Sequence, residues 1–155
     1  MAQQFVPHVK IDYGFNFDKD KTVVNGAIEY TYLREISGYY SAKMFGFTTG
    51  LNYVDKDRYQ IPVYWTMKRN EWNDVLRTGV LLDRRIDSLS LYLSWGHDHI
   101  MNRRNTDGLA YTIEIYTKYN KYRWETGLRF GVGFVFDKYY KGFWYRNRRY
   151  YSSVQ

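Results

Sequence analysis

The chain has 155 residues and a formal net charge of +7; 21% of its residues are aromatic and none is cysteine. The absence of cysteine excludes a disulfide framework, a thiolate metal site and a cysteine nucleophile. The apolar and aromatic content excludes a disordered chain. Few alanines argue against a helical protein, and no apolar run approaches the roughly 18 residues of a membrane helix. A single β-rich domain is therefore expected.

In chain order, hydrophobic and polar residues alternate in about eight segments. A period of two predicts β-strands. The alternation holds in the windows 9–17, 24–32, 45–53, 61–67, 76–82, 89–95, 109–119 and 122–136. The stretches between these windows are charged or rich in Asp, Asn, Gly and Ser, which predicts turns, the longest at residues 97–107.

The two faces of these predicted strands differ in chemistry. One face carries aliphatic and aromatic side chains and no charge. The other combines small residues with six cations and four carboxylates, namely Lys10, Asp12, Glu29, Lys68, Arg77, Glu114, Lys118, Arg123, Glu125 and Arg129. A shift of one residue would exchange the faces, so the alternation fixes which residues point the same way.

Either face could line a closed barrel. An eight-stranded barrel has an interior just wide enough for side chains to fill it, and the aromatic face would overcrowd that space. Aromatics also fall near the strand ends with aliphatic residues between them, as in membrane barrels. We therefore predict an apolar exterior, with these interface aromatics: Tyr53, Trp65, Trp95, Tyr119, Trp124 and Phe136.

The sequence resembles the small outer-membrane β-barrels of Gram-negative bacteria. The resemblance rests on the two-residue repeat and on two segments that look like strands of such barrels: Tyr-Gln-Ile-Pro-Val-Tyr-Trp at residues 59–65 and Glu-Thr-Gly-Leu-Arg-Phe-Gly-Val-Gly-Phe at residues 125–134. The resemblance covers roughly residues 8–136. It implies a single antiparallel up-and-down transmembrane β-barrel of about eight strands in the bacterial outer membrane, with the lipid bilayer as its partner. The N-terminus has no signal-peptide pattern, so an exported form is expected to be a mature chain.

The ten inward charges predict a salt-bridged network that plugs the lumen, because buried charges must be paired. Three histidines, His8, His97 and His99, are weak candidates for metal ligands, since two of them are spaced to share a strand face. Ser94, His97 and Asp98 satisfy no hydrolase motif, so we expect neither catalysis nor a cofactor.

A basic, aromatic segment at residues 138–155 follows the predicted barrel domain at residues 1–137 and contributes five of the positive charges. An additional strand is one interpretation. The other is contact with lipid head groups or with other envelope proteins through Trp144, Arg146, Arg148 and Arg149. We do not expect nucleic acid as a partner.

The sequence thus favours a non-enzymatic outer-membrane barrel that acts as a structural or accessory subunit of an envelope assembly. Two alternatives remain at this point. One is a soluble barrel that binds a hydrophobic ligand in its interior. The other is a membrane-bound lipid hydrolase.

Overall fold

A computed structural model describes residues 3–37, 43–55, 58–69, 74–83, 88–100, 108–121 and 123–137. They form eight β-strands: β1 (Gln3–Asn16), β2 (Lys21–Ser37), β3 (Lys43–Asp55), β4 (Arg58–Arg69), β5 (Asp74–Asp83), β6 (Ser88–Ile100), β7 (Gly108–Asn120) and β8 (Arg123–Asp137). Within these ranges, no helix is long and apolar enough to cross a bilayer.

Each strand pairs in antiparallel fashion with the strand that follows it, and β8 pairs with β1, so that the sheet closes on itself. The predicted all-β, antiparallel up-and-down barrel of eight strands is confirmed. Closure leaves no open sheet edge among the described strands, so the ladder bonds satisfy their backbone polar groups.

The strands are staggered around the barrel. Following paired Cα positions from Val6 in β1 through all eight strands leads back to β1 at Asn16, about ten residues farther along. With eight strands, this stagger sets a strand tilt of about 40° and gives a narrow interior filled by side chains.

Burial is inverted relative to a water-soluble protein. Among the described residues, 36 large hydrophobic side chains are exposed and only 11 hydrophobic residues are buried. Lys10, Arg77, Glu114 and Arg129 are at most 1% exposed. The apolar face therefore lies outside and the charged face inside.

Several strands extend beyond their predicted windows, most of all at the start of β1, at the end of β2 and at the end of β6. The turn predicted at residues 97–107 begins too early, because β6 continues to Ile100 by pairing with β7 up to Ala110. Cross-strand hydrogen bonds outweigh the weak strand preference of Gly-His-Asp-His in this segment. The predicted extension at residues 138–155 lies outside the described residues.

Candidate functional site in the barrel interior

Arg129 lies at the centre of the polar interior and is fully buried. Its Cα is paired with Asp12 on one side and with Glu114 on the other, so three charged residues form one row across β1, β8 and β7. The guanidinium donates to the Asp12 carboxylate through Nε, to Glu29 Oε1 at 2.5 Å and to the Tyr92 hydroxyl at 2.6 Å. One side chain thus connects four strands.

Lys10 and Arg77 surround Glu114 from opposite sides. Lys10 Nζ donates to both Glu114 carboxylate oxygens, at 3.1 and 3.2 Å, and lies 3.4 Å from Glu29 Oε2. Arg77 forms an ion pair with the same Glu114 carboxylate. Arg129 Nη1 lies 4.0 Å from Glu114 Oε2, so this carboxylate faces three cations from different strands.

Lys118 extends the network toward the rim of the barrel that carries the β1–β2 turn. Its ammonium lies 2.9 Å from Asp12 Oδ2, so Asp12 binds both Lys118 and Arg129. Beside it, Glu125 Oε1 accepts hydrogen bonds from the Tyr116 hydroxyl at 2.9 Å and from the Asn25 amide at 3.3 Å. Charge pairing thus runs through most of the barrel height.

The structure adds carboxylates that the sequence analysis had not placed inside. Asp83 is buried and accepts hydrogen bonds from Arg58 at 3.0 and 2.8 Å. Asp98 is buried and accepts a hydrogen bond from Thr112 at 2.7 Å. The described interior consequently holds five buried cations and six buried carboxylates, and this near balance reduces the cost of burying charge.

Three tyrosines form a stacked column inside the barrel. The rings of Tyr64 and Tyr92 are 4.1 Å apart, and those of Tyr92 and Tyr116 are 6.4 Å apart. Gly14 makes room for the column, since a Cβ there would collide with the Tyr116 hydroxyl. Glycine on the inner face is therefore needed where a large neighbour fills the lumen.

A second polar chain consists of threonine hydroxyls on neighbouring strands. Thr31 and Thr48 are 2.7 Å apart, and Thr48 and Thr66 are 2.6 Å apart. His8 Nε2 lies 3.4 Å from the Thr31 hydroxyl and 3.6 Å from Glu29. The hydroxyl ladder thus joins the charged network through His8.

The interior is filled by these side chains. A cavity of about 10 Å³ near the short β1–β2 turn is lined by polar residues including Asn25, Gln60 and Glu125. This volume accommodates about one water molecule.

Nine of the ten charges assigned to the lumen from sequence are buried, and Arg123, the first residue of β8, is half-buried. Asp83, Asp98 and His8 are interior residues that the sequence pattern did not predict. Each points inward in its strand but lies just outside the segment that was assigned as a strand from the alternation. Extending the same alternation along the chain places all three inside.

The structure does not bring the histidines and the hydrolase candidates together in one site. His8 is buried inside, whereas His97 is exposed on the outer face, and the described ranges contain no group of three potential ligands that could hold a metal. The side chain of His99 lies outside the described residues. Ser94 faces the interior and His97 faces outward, so the two are on opposite sides of β6.

The six interface aromatics chosen from sequence all point outward and are exposed. With their neighbours they lie in two groups, one near each rim. Near the β1–β2 turn, Phe17 packs on Trp124 at 4.9 Å and Tyr53 on Tyr59 at 5.6 Å. At the opposite rim the contacts include Phe5 with Phe136, Tyr32 with Phe47 and Phe45 with Trp65.

Comparisons with protein-family models, curated proteins and solved structures find no match to this chain. Trp144, Arg146, Arg148 and Arg149 lie outside the described residues. The functional argument therefore rests on the interior network and on the outer surface.

The Arg129 cluster generates a testable prediction about stability. Replacing Arg129 with Met leaves Asp12 and Glu29 buried without their main partner, so we expect unfolding free energy to fall by about 3–5 kcal/mol. Adding Glu29→Gln to this variant removes one uncompensated charge and is expected to recover part of the loss. Denaturant unfolding followed by tryptophan fluorescence measures both effects.

The matched control is Lys21→Met, which removes an exposed cation from the start of β2 and should change stability by less than about 0.5 kcal/mol. Equal effects of Arg129→Met and Lys21→Met would show that Arg129 is not needed to balance the buried carboxylates Asp12 and Glu29.

Proposed function

We propose that this chain is an integral outer-membrane β-barrel without enzymatic activity, its lumen plugged by salt bridges, that serves as a structural or accessory subunit of an envelope assembly. The observation that carries the proposal is the outer surface. An uncharged band of exposed, mainly aliphatic side chains runs around the barrel, and exposed aromatic residues are concentrated near its two rims on most strands.

The height of this band fits a bilayer. In β1 the outward aromatics Phe5 and Phe15 are about ten residues apart. At about 3.3 Å per residue and a tilt of about 40°, this separation spans about 25 Å, the height of the apolar band in outer-membrane barrels. Among the described strand residues, the exposed Lys and Arg side chains lie near strand ends: Lys21, Arg34, Lys43 and Arg69.

The size of the apolar surface also supports a membrane location. Soluble monomers rarely expose contiguous apolar patches larger than a few hundred Å², whereas here outward residues such as Ile11, Leu51, Leu93 and Ile115 are all about half exposed on different strands. Acyl chains on every side of the barrel would cover this surface.

The soluble alternative is less well supported. A carrier of hydrophobic ligands needs an apolar chamber. The described interior instead contains paired charges, stacked tyrosines and a hydroxyl ladder. A hydrophobic molecule would have to displace these groups and leave them without partners, at a large desolvation cost.

The assignment as an accessory subunit follows from the plugged lumen and the short connections. The connections at the rim opposite the N-terminus are residues 17–20, 56–57, 84–87 and 121–122. Connections of two to four residues are too short to build a receptor-binding surface or an active site from this chain alone. A role inside a larger assembly accounts best for a barrel of this kind.

A charge scan on β6 tests the membrane assignment. Leu93 lies mid-strand and Leu89 lies near its end; both face outward, at 48% and 53% exposure. Leu93→Arg should cost about 2–4 kcal/mol of folding stability in lipid vesicles, whereas Leu89→Arg should cost only about 0–1 kcal/mol, because burying a charge in a bilayer depends on depth. Equal, negligible costs would indicate a surface exposed to water.

The plugged lumen predicts that the inserted protein does not conduct ions. After reconstitution in a planar bilayer, the protein is expected to add no steady current above the leak of a protein-free membrane, since paired side chains occupy the pore. Vesicle insertion of the same sample, shown by resistance to alkaline extraction, is the control. A reproducible ohmic conductance from inserted protein would contradict the structural role and indicate a channel.

A further inference from the structure

Three cations form an exposed patch at the rim that contains the N-terminus. Arg34 on β2, Lys43 on β3 and Arg69 on β4 all point outward, and we call them the basic patch. The Arg69 guanidinium, 51% exposed, pairs with Asp74. Among the described residues, neither Arg34 nor Lys43 makes an ion pair.

The register brings these cations close together. Lys43 and Arg69 are direct Cα partners, and Arg34 is the partner of Phe45, two residues from Lys43 on the same face. Like charges placed directly opposite on adjacent strands are destabilising. Asp74 offsets one of the three charges, and Glu35, a half-buried carboxylate next to Arg34 on β2, offsets a second, so one net positive charge remains that an anionic ligand would stabilise.

The basic patch lies just beyond a group of aromatic side chains on the outer surface. Phe45 stacks on Trp65 at 5.6 Å, and Tyr32 packs on Phe47 at 6.0 Å. All four aromatics lie on the same three strands, closer to mid-height than the cations. Aromatic belts mark the interface of a bilayer, so cations immediately outside them are level with lipid phosphates.

Among the residues that the structure describes, the patch occupies one side of its rim. On the other side of the rim, β1, β7 and β8 present Phe5, Leu109 and Phe136. The β1–β2 turn at the opposite rim carries alternating signs, in Asp18, Lys19, Asp20 and Lys21. An excess of positive over negative charge is therefore a local property of β2–β4 in the described ranges.

We infer that the basic patch binds the phosphate-bearing head group of an anionic phospholipid, which fixes one side of the barrel to a particular lipid. This inference rests on the proposed membrane location. Two or three cations close to one phosphate provide the charge complementarity, and the Phe45–Trp65 pair supports the adjoining acyl chains. Anionic lipid relieves the repulsion between Lys43 and Arg69.

The test uses Trp65 as a reporter next to the patch. A variant keeps this tryptophan and replaces the others with Phe: Trp72, Trp95, Trp124 and Trp144. It is reconstituted in phosphatidylglycerol and phosphatidylcholine mixtures in which one or the other lipid carries brominated chains that quench tryptophan on contact. We expect quenching by brominated phosphatidylglycerol to exceed its mole fraction.

Neutralising the patch should remove this preference. Arg34→Gln, Lys43→Gln and Arg69→Gln together are expected to lower the selectivity for phosphatidylglycerol at Trp65, by about fivefold for each charge that contacts lipid. Lys43→Gln alone, at an exposed strand end, gives a milder variant if the triple variant does not fold. Lys19→Gln with Lys21→Gln, at the other rim, should leave the selectivity unchanged.

The outcomes separate the two proposals. If both brominated lipids quench Trp65 in proportion to their abundance, or if the neutralised patch keeps its selectivity, lipid binding at the patch is wrong and the membrane location stands. If neither lipid quenches Trp65, the membrane location itself fails.

Discussion

The ion pairs of Arg129 are the interaction on which the rest of the barrel depends. This fully buried guanidinium binds carboxylates from β1 and β2 and the hydroxyl of Tyr92 on β6. Such a residue is tolerated only when its partners are in place, and they are in place only when the sheet has closed with the correct register. We interpret the network as a device that specifies register rather than one that adds much net stability.

An interior of this kind determines the exterior. Because the polar side chains of each strand point inward, the alternation of a β-strand sends the aliphatic and aromatic residues outward. The narrow lumen then has no space for them, and its fit to Tyr64, Tyr92 and Tyr116 depends on inner-face glycines such as Gly14. An apolar outer wall is thus a consequence of a filled, charged core, and in the proposed function acyl chains cover this wall.

The sequence predicted the class of fold and the direction of each face, because both follow from a local period of two. It did not predict contacts that depend on strand stagger, such as Arg129 with Glu29, which are far apart in the chain. Asp98 was missed because the polar residues near the end of β6 resemble a turn, and only pairing with β7 shows them to be strand. The basic patch was missed for the same reason, since Lys43 and Arg69 become neighbours only through the β3–β4 register.

The most direct measurement of the central claim is the environment of single outward positions. The chain has no cysteine, so a nitroxide label can be placed at Phe47, Leu91 or Ile113 alone. In reconstituted protein we expect these labels to collide readily with oxygen, which concentrates among acyl chains, and to be shielded from a water-soluble nickel complex. Labels that collide freely with the nickel complex at all three positions would show that water surrounds the barrel, and would contradict the account.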